Sequence, residues 1–156
     1  MPTFLLIGSD VRLPLIEDLA AIAELDPQDA DGVRFFEATA WQSQVLRVET
    51  PITRNLDVIA ARSAVADFLI LTIADADGPM QPDLIELEAS PERVELSMVY
   101  LAATVPPLHP ELRELVKFEV TELIRRKRPR WSPRFHTENC DTFFHLLKRS
   151  FFSDCL

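Results

Sequence analysis

Carboxylates lead the residues whose types and positions suggest chemistry. Asp10, Glu49, Asp75 and Asp77 each end or follow an apolar run, and clustered carboxylates are what a hard divalent cation requires. Nothing in their spacing fixes a coordination shell, so loop and cap positions on an acidic surface are the simpler reading. His136, Cys140, His145 and Cys155 supply zinc-type donors near the C-terminus, but their intervals do not form the paired short knuckles of a structural zinc site. No metal and no catalytic residue is expected from either set. Ser9 follows the first strand-like run, yet no histidine precedes His109 and no G-x-S-x-G elbow occurs, which argues against a serine hydrolase. The run Arg125-Arg126-Lys127-Arg128-Pro129-Arg130, followed by Trp131 and Arg134, has cations for phosphates and an indole to stack on a base. It equally suits a helix C-terminus, where the macrodipole favours cations, or a contact with the acidic remainder of the chain.

The elements that must position these residues belong to a chain of 156 residues with 47% hydrophobic and 26% charged side chains. No apolar run approaches the ~20 residues of a membrane span, so a globular protein with no membrane partner is expected. The opening MPTFLLIGSD lacks a basic n-region, and a cytoplasmic location is expected. The net charge of −9 is unevenly divided. Eight of the sixteen basic residues lie from Arg125 onward, where only Glu138, Asp141 and Asp154 are acidic, so the tail carries +5 and the first 124 residues carry −14. The body should therefore repel nucleic acid, and the tail need not. Two cysteines are too few for a disulfide framework. Three glycines, Gly8, Gly32 and Gly78, and no lysine before Lys117 leave few parts for a phosphate-binding loop.

Hydrophobic periodicity places the elements. Thr3 to Ile7 reads as a strand, Gly8-Ser9-Asp10 as a turn, and the stretch opened by Pro14 with Leu15, Leu19, Ile22 and Leu25 as a helix. Val33 to Trp41 and Gln44 to Glu49 read as a hairpin that Pro51 ends. Arg54 to Ala66 reads as a helix with Leu56, Ile59, Ala60, Ser63 and Ala64 on one side. Phe68 to Ala74 and Leu96 to Thr104 are buried strands, with a short helix expected over Pro82 to Ala89 between them. Pro110 to Ile124 is a helix with Leu112, Leu115, Val116, Val120 and Leu123 on one face, and Asp141 to Phe152 a terminal helix with Phe143, Phe144, Leu147 and Phe151 inward. The class is α/β: a three-layer, mostly parallel sheet with an early hairpin, plus a basic and aromatic C-terminal tail. Residues 1–126 form the α/β domain, and residues 127–156 a basic linker and C-terminal helix.

Asp77-Gly78-Pro79-Met80, directly after a buried strand, resembles the GTP-binding domain of elongation factor Tu, of the translational GTPase family. The resemblance continues into Glu111 to Ile124 (ELRELVKFEVTELI), and more faintly back to Ala66 to Leu71 and Phe4 to Gly8. It implies a P-loop GTPase fold over most of residues 1–126, and a link to translation.

Against that family the nucleotide motifs depart. Where the family has its P-loop, this chain reads Gly8-Ser9-Asp10-Val11-Arg12-Leu13-Pro14-Leu15, with Leu13, Pro14 and Leu15 in place of Gly, Lys and Ser/Thr. Proline has no amide to donate, the lysine charge is gone, and no hydroxyl is left for Mg²⁺. The switch I threonine corresponds to Arg34, and the effector loop before it is cut to Asp26 through Ala30. The Asp-Cys-Pro-Gly-His motif becomes Glu49-Thr50-Pro51-Ile52-Thr53, and the guanine-reading Asn-Lys-x-Asp becomes Ala102-Ala103-Thr104-Val105. The resemblance thus implies a scaffold kept without its chemistry, a pseudo-GTPase with no cofactor. Asp77, Gly78, Pro79 and Met80, with Arg125, Arg126, Lys127, Arg128, Arg130 and Trp131, are its interaction candidates, toward a protein partner or toward RNA or the ribosome through the tail. A guanine-nucleotide binder with atypical contacts, an RNA-binding module and a decaying gene fragment stay open as alternatives.

Overall fold

Strand β1 (Thr3–Gly8) sends alternate side chains to opposite faces, and both faces are covered, which is why its sequence is apolar without alternation. The computed structural model describes residues 1–39, 44–53, 55–74, 96–102, 109–127, 134–136 and 139–153. In chain order the elements are β1, α1 (Arg12–Ile22), β2 (Gln28–Ala30), β3 (Val33–Thr39), β4 (Val45–Pro51), α2 (Leu56–Val65), β5 (Phe68–Ala74), β6 (Leu96–Ala102), α3 (Pro110–Lys127), β7 (Arg134–His136) and α4 (Cys140–Ser153). The sheet has seven strands in the order β2-β3-β4-β1-β5-β6-β7. Strands β2, β3 and β4 pair antiparallel, and all other pairings are parallel. This is the mostly parallel α/β sheet with an early hairpin that the sequence patterning indicates.

Phe4 and Leu6 of β1 join Leu15, Ile16 and Leu19 of α1 and Phe143, Phe144 and Leu147 of α4 in one core cluster. Leu5 and Ile7 face the other way, into a second cluster with Ile59 of α2 and Val116, Val120 and Ile124 of α3. The ring of Phe143 lies 4.5 Å from that of Tyr100, and Phe144 lies 6.3 Å from Phe36, so α4 closes the α1 face of the sheet. Asn139 caps this helix through its side chain, accepting from the Thr142 amide at 2.9 Å. The Phe151 side chain, also expected inward, lies outside the described set. No helix among the described residues is long and apolar enough to cross a membrane.

Several elements differ from the sequence expectation for identifiable reasons. Helix α1 begins at Arg12 rather than Pro14, because Val11 is already helical and the Arg12 and Leu13 amides donate to the Ser9 and Asp10 carbonyls at 3.0 and 3.1 Å. Proline is compatible with a first turn, since its missing amide has no intrahelical partner there. The same helix stops at Ile22 rather than running to Leu25. Glu24 adopts φ 59°, and the Glu24 and Leu25 amides return to the Ala21 and Ala20 carbonyls at 3.0 and 2.9 Å, the paired bonds of a Schellman stop.

Residues read as a shortened loop, Asp26 through Ala30, instead contribute the edge strand β2. Asp31 and Gly32, at φ 54° and 80°, turn it into β3 as a two-residue hairpin. Helix α2 is shorter than expected, and buries Ile59 and Ser63 while Leu56 stays exposed. In α3 the buried stripe is Val116, Val120 and Ile124, whereas Leu112 and Leu115 point outward. The expected helix over 82–89 and the last residues of the strand read to Thr104 lie outside the described residues.

Candidate functional site

Open parallel sheets place ligands beyond the carboxyl ends of their strands, and here the end of β1 is tied to both neighbours. Thr50 of β4 donates its hydroxyl to the Leu6 carbonyl at 2.9 Å, and Thr72 of β5 donates to the Ile7 carbonyl at 2.8 Å. Gly8 follows at φ 109°, where a β-carbon would stand 2.3 Å from the Thr72 carbonyl oxygen. The Ser9 amide donates to that same oxygen at 3.0 Å. Only glycine permits so close an approach of two backbones.

Beyond Gly8 the chain turns straight into α1, and four of the amides here are engaged within the chain. Ser9, Arg12, Leu13 and Leu15 each donate to a backbone carbonyl, at 3.0 to 3.1 Å, and Pro14 has no amide. The Arg12 side chain is only 1% exposed and pairs with the carboxylate of Asp10 at 3.2 Å, while Asp10 itself is 80% exposed. Thus Leu13, Pro14 and Leu15 are inside a helix rather than in a loop, and Leu15 is a core residue.

Glu49 of β4 is fully buried yet well paired. Arg62 of α2 reaches both its oxygens, Nε to Oε1 and Nη2 to Oε2, each at 2.8 Å. Arg47 adds a third bond from Nε to Oε2 at 2.8 Å, and its guanidinium also lies 3.8 Å above the Phe35 ring and 3.3 Å from Glu37. A bidentate guanidinium is among the strongest charge-assisted partners open to a buried carboxylate, and it leaves Glu49 poorly placed to ligate a metal as well. Asp10 and Glu49 are therefore held in separate ion pairs, and Asp75 and Asp77 lie outside the described residues. Among the described residues no group of three or more His, Cys, Asp or Glu could hold a metal.

Arg34 of β3 grips Asp29 of β2 with two bonds, at 2.9 and 3.2 Å, and reaches Glu17 of α1 at 3.1 Å. Its hydrogen bonds hold the Asp29 carboxyl below the usual carboxylate range and raise its own pKa. Cys140 sits half-buried with its thiol 3.9 Å from Asp18. Burial first, and the Asp18 charge second, push that thiol up, while burial raises Tyr100 to about 12. A thiol kept protonated is a poor metal ligand and nucleophile. His145 is exposed on α4, and the His136 side chain and Cys155 lie outside the described residues.

Of the remaining interaction candidates, Arg125 and Arg126 are exposed at the end of α3, whose last residue is Lys127. Asp77, Gly78, Pro79, Met80, Arg128, Arg130 and Trp131 lie outside the described residues, as do Ala103 and Val105. Pro51 and Ala102 end β4 and β6. Sequence reasoning missed Arg12, Arg47, Thr50, Arg62 and Thr72. Thr72 was the most visible of these, as the one polar side chain in the run FLILTIA.

No family model and no curated protein matches this chain. Solved structures do match. A bacterial selenocysteine-specific elongation factor EF-Sec superposes with a TM-score of 0.73 at 16% identity, over 98% of this chain and 28% of its own. The elongation factor SelB of Methanococcus maripaludis in complex with the GTP analogue GppNHp gives 0.66 at 9% identity, over 97% of this chain and 33% of its own. Its apo form gives 0.64 at 12% identity, over 98% and 34%. The chain thus has the fold of a translation elongation factor G domain, and spans about a third or less of the length of these proteins.

Proposed function

We propose that this chain is an elongation-factor-type G domain that works without nucleotide, as a pseudo-GTPase making protein or ribonucleoprotein contacts. The observation that carries this reading is the β1–α1 turn. A phosphate cradle needs several amides converging on one anion, and here the amides of Ser9, Arg12, Leu13 and Leu15 are donated within the chain. A nucleotide phosphate with its Mg²⁺ does not fit such a turn. Two further features agree. The position that the elongation factor Tu family fills with the aspartate of Asp-Cys-Pro-Gly-His carries Glu49, engaged by Arg62 and Arg47. The switch I position carries Arg34, which fastens β3 to β2 and α1 in place of an adjustable loop.

The test is calorimetric titration of the full chain with GDP and with the analogue GppNHp, each with Mg²⁺. No saturable heat at micromolar concentration is the expected result, and a micromolar dissociation constant would overturn the reading. A second reading, RNA binding through the tail, is favoured by the exposed Arg125 and Arg126 at the end of α3. Its signature is an affinity for single-stranded RNA that falls steeply as salt rises.

A further inference from the structure

Chain direction brings two separate stretches of basic residues to one corner of the fold. Arg113, near the start of α3, donates to the Leu101 carbonyl at the end of β6 at 3.3 Å, and the helix then runs back along that strand. Arg125 stands about 18 Å further down the helix, and β6 itself covers about 17 Å from Leu101 back to Leu96. The helix thus ends level with the start of β6. Strand β7 begins at the same end, because Arg134 pairs with Met98 in parallel register. Leu123 and Ile124, just before the helical arginines, and Phe135, just after Arg134, belong to one apolar cluster. Arg125, Arg126 and Arg134 therefore share a corner at the amino ends of the strands, the opposite end of the sheet from the β1–α1 turn.

This corner is open and short of carboxylates. All three arginines are exposed, and no Asp or Glu occurs from Arg125 to Arg134. Arg125 meets Glu122 at 3.5 Å, an exposed contact at the outer limit of hydrogen bonding. Neither Arg126 nor Arg134 has a carboxylate partner among the described residues. Of the other acids nearby, Asp67 accepts from the Thr3 amide at 2.8 Å, and Glu119 lies more than one turn before Arg125. Glu92 and Glu95, with Arg93, precede β6 outside the described residues. A helix C-terminus favours cations, which accounts for Arg125 and Arg126 but not for Arg134, because Arg134 opens a strand.

We propose that this corner binds the phosphates of single-stranded RNA, with Arg125, Arg126 and Arg134 as the contacts. The proposal rests on the RNA reading above and gives it a place, a corner of the folded sheet rather than an appended tail. Guanidinium forks match phosphate oxygens in pairs, and three full cations outweigh the half-charge of the helix end. Shape selects among anionic partners. The first 124 residues carry −14, so a broad anionic surface, whether a membrane or an acidic protein face, meets repulsion from the body as it approaches. A single strand is thin enough to touch the corner alone. The site is also remote from the β1–α1 turn, so RNA binding is indifferent to any ligand there.

The test is fluorescence anisotropy of a short labelled oligouridylate titrated with the full chain. Three phosphate contacts predict a slope of about −2 for log affinity against log salt. Arg126→Gln/Arg134→Gln should lower the affinity about ten-fold at low salt and flatten the slope to about −0.7, with an unchanged thermal melt because both side chains are exposed. Lys117→Gln, on the same helix but nearer its middle, should leave the affinity within about two-fold. Wild-type affinity in the Arg126→Gln/Arg134→Gln protein overturns the corner as the site and leaves the RNA reading standing. An equal loss in Lys117→Gln reduces the contact to net charge and overturns the corner as well. A wild-type chain that leaves oligouridylate free overturns both the corner and the RNA reading, and its capture on vesicles of anionic lipid would assign the corner to a membrane instead.

Discussion

A missing methyl group governs the turn after β1. Because a β-carbon at Gly8 would lie 2.3 Å from the Thr72 carbonyl and at a φ of 109°, Gly8→Ala must separate β1 from β5 or strain the turn. The expected cost is at least ~2 kcal/mol, read as a lower urea midpoint at an unchanged slope. A variant with wild-type stability would show that the two backbones do not meet so closely. Glu49 is the residue-scale counterpart on the opposite face. A buried carboxylate persists only where donors satisfy it, and Arg62 and Arg47 supply three bonds from two elements, so its burial fastens α2 to the sheet. The raised thiol of Cys140 follows the same logic in reverse: burial beside Asp18 keeps it neutral.

Among the elements, α1 shows most directly how a stop is written. Glu24 occupies the left-handed position that ends the helix, a conformation that costs a side-chain-bearing residue roughly 1 kcal/mol relative to glycine. Glu24→Gly should therefore stabilise the protein by up to ~1 kcal/mol, measured by denaturant unfolding, and a loss of stability would mean the Glu24 side chain contributes more than its backbone costs. The periodicity of this helix is plain in the sequence through Leu25, but its end is not. The stop depends on two backbone bonds formed only once the chain has turned, and no glycine marks the place. Helix α3 gives the same lesson sideways. Leu112, Leu115, Val116, Val120 and Leu123 read as one face, yet the sheet buries Val116, Val120 and Ile124 with Leu123 packed half-buried beside them, and leaves Leu112 and Leu115 exposed, because two apolar stripes lie on one cylinder and only the neighbouring strands select between them.

For the molecule as a whole, the terminal helix is part of the core. Phe143, Phe144 and Leu147 are buried against α1 and the sheet, so removing residues 139–156 would expose that face of β1 and β6 along with α1. The truncated chain is expected to aggregate or lose cooperative unfolding, as followed by size-exclusion chromatography and calorimetry. A truncation that melts like the full chain would separate α4 from the core. The molecule also carries its charge as an acidic body and a basic tail.

The order of the longer strands and helices, the buried character of β1 and β5, the early hairpin and the α/β class were legible in the sequence, because each rests on local periodicity that burial on one or two faces imposes; the three-residue strands β2 and β7 were not, being too short to carry a period. The resemblance at Asp77 to Met80 and in Glu111 to Ile124 pointed to the same fold that the elongation factor structures share. Pairings were decided by the tertiary structure alone. Glu49 meets Arg62 across thirteen positions, and Thr72 meets Ile7 across sixty-five. Those meetings depend on strand register and on where each crossover helix lands, and both are set by the packing of the whole sheet rather than by any short window of the chain.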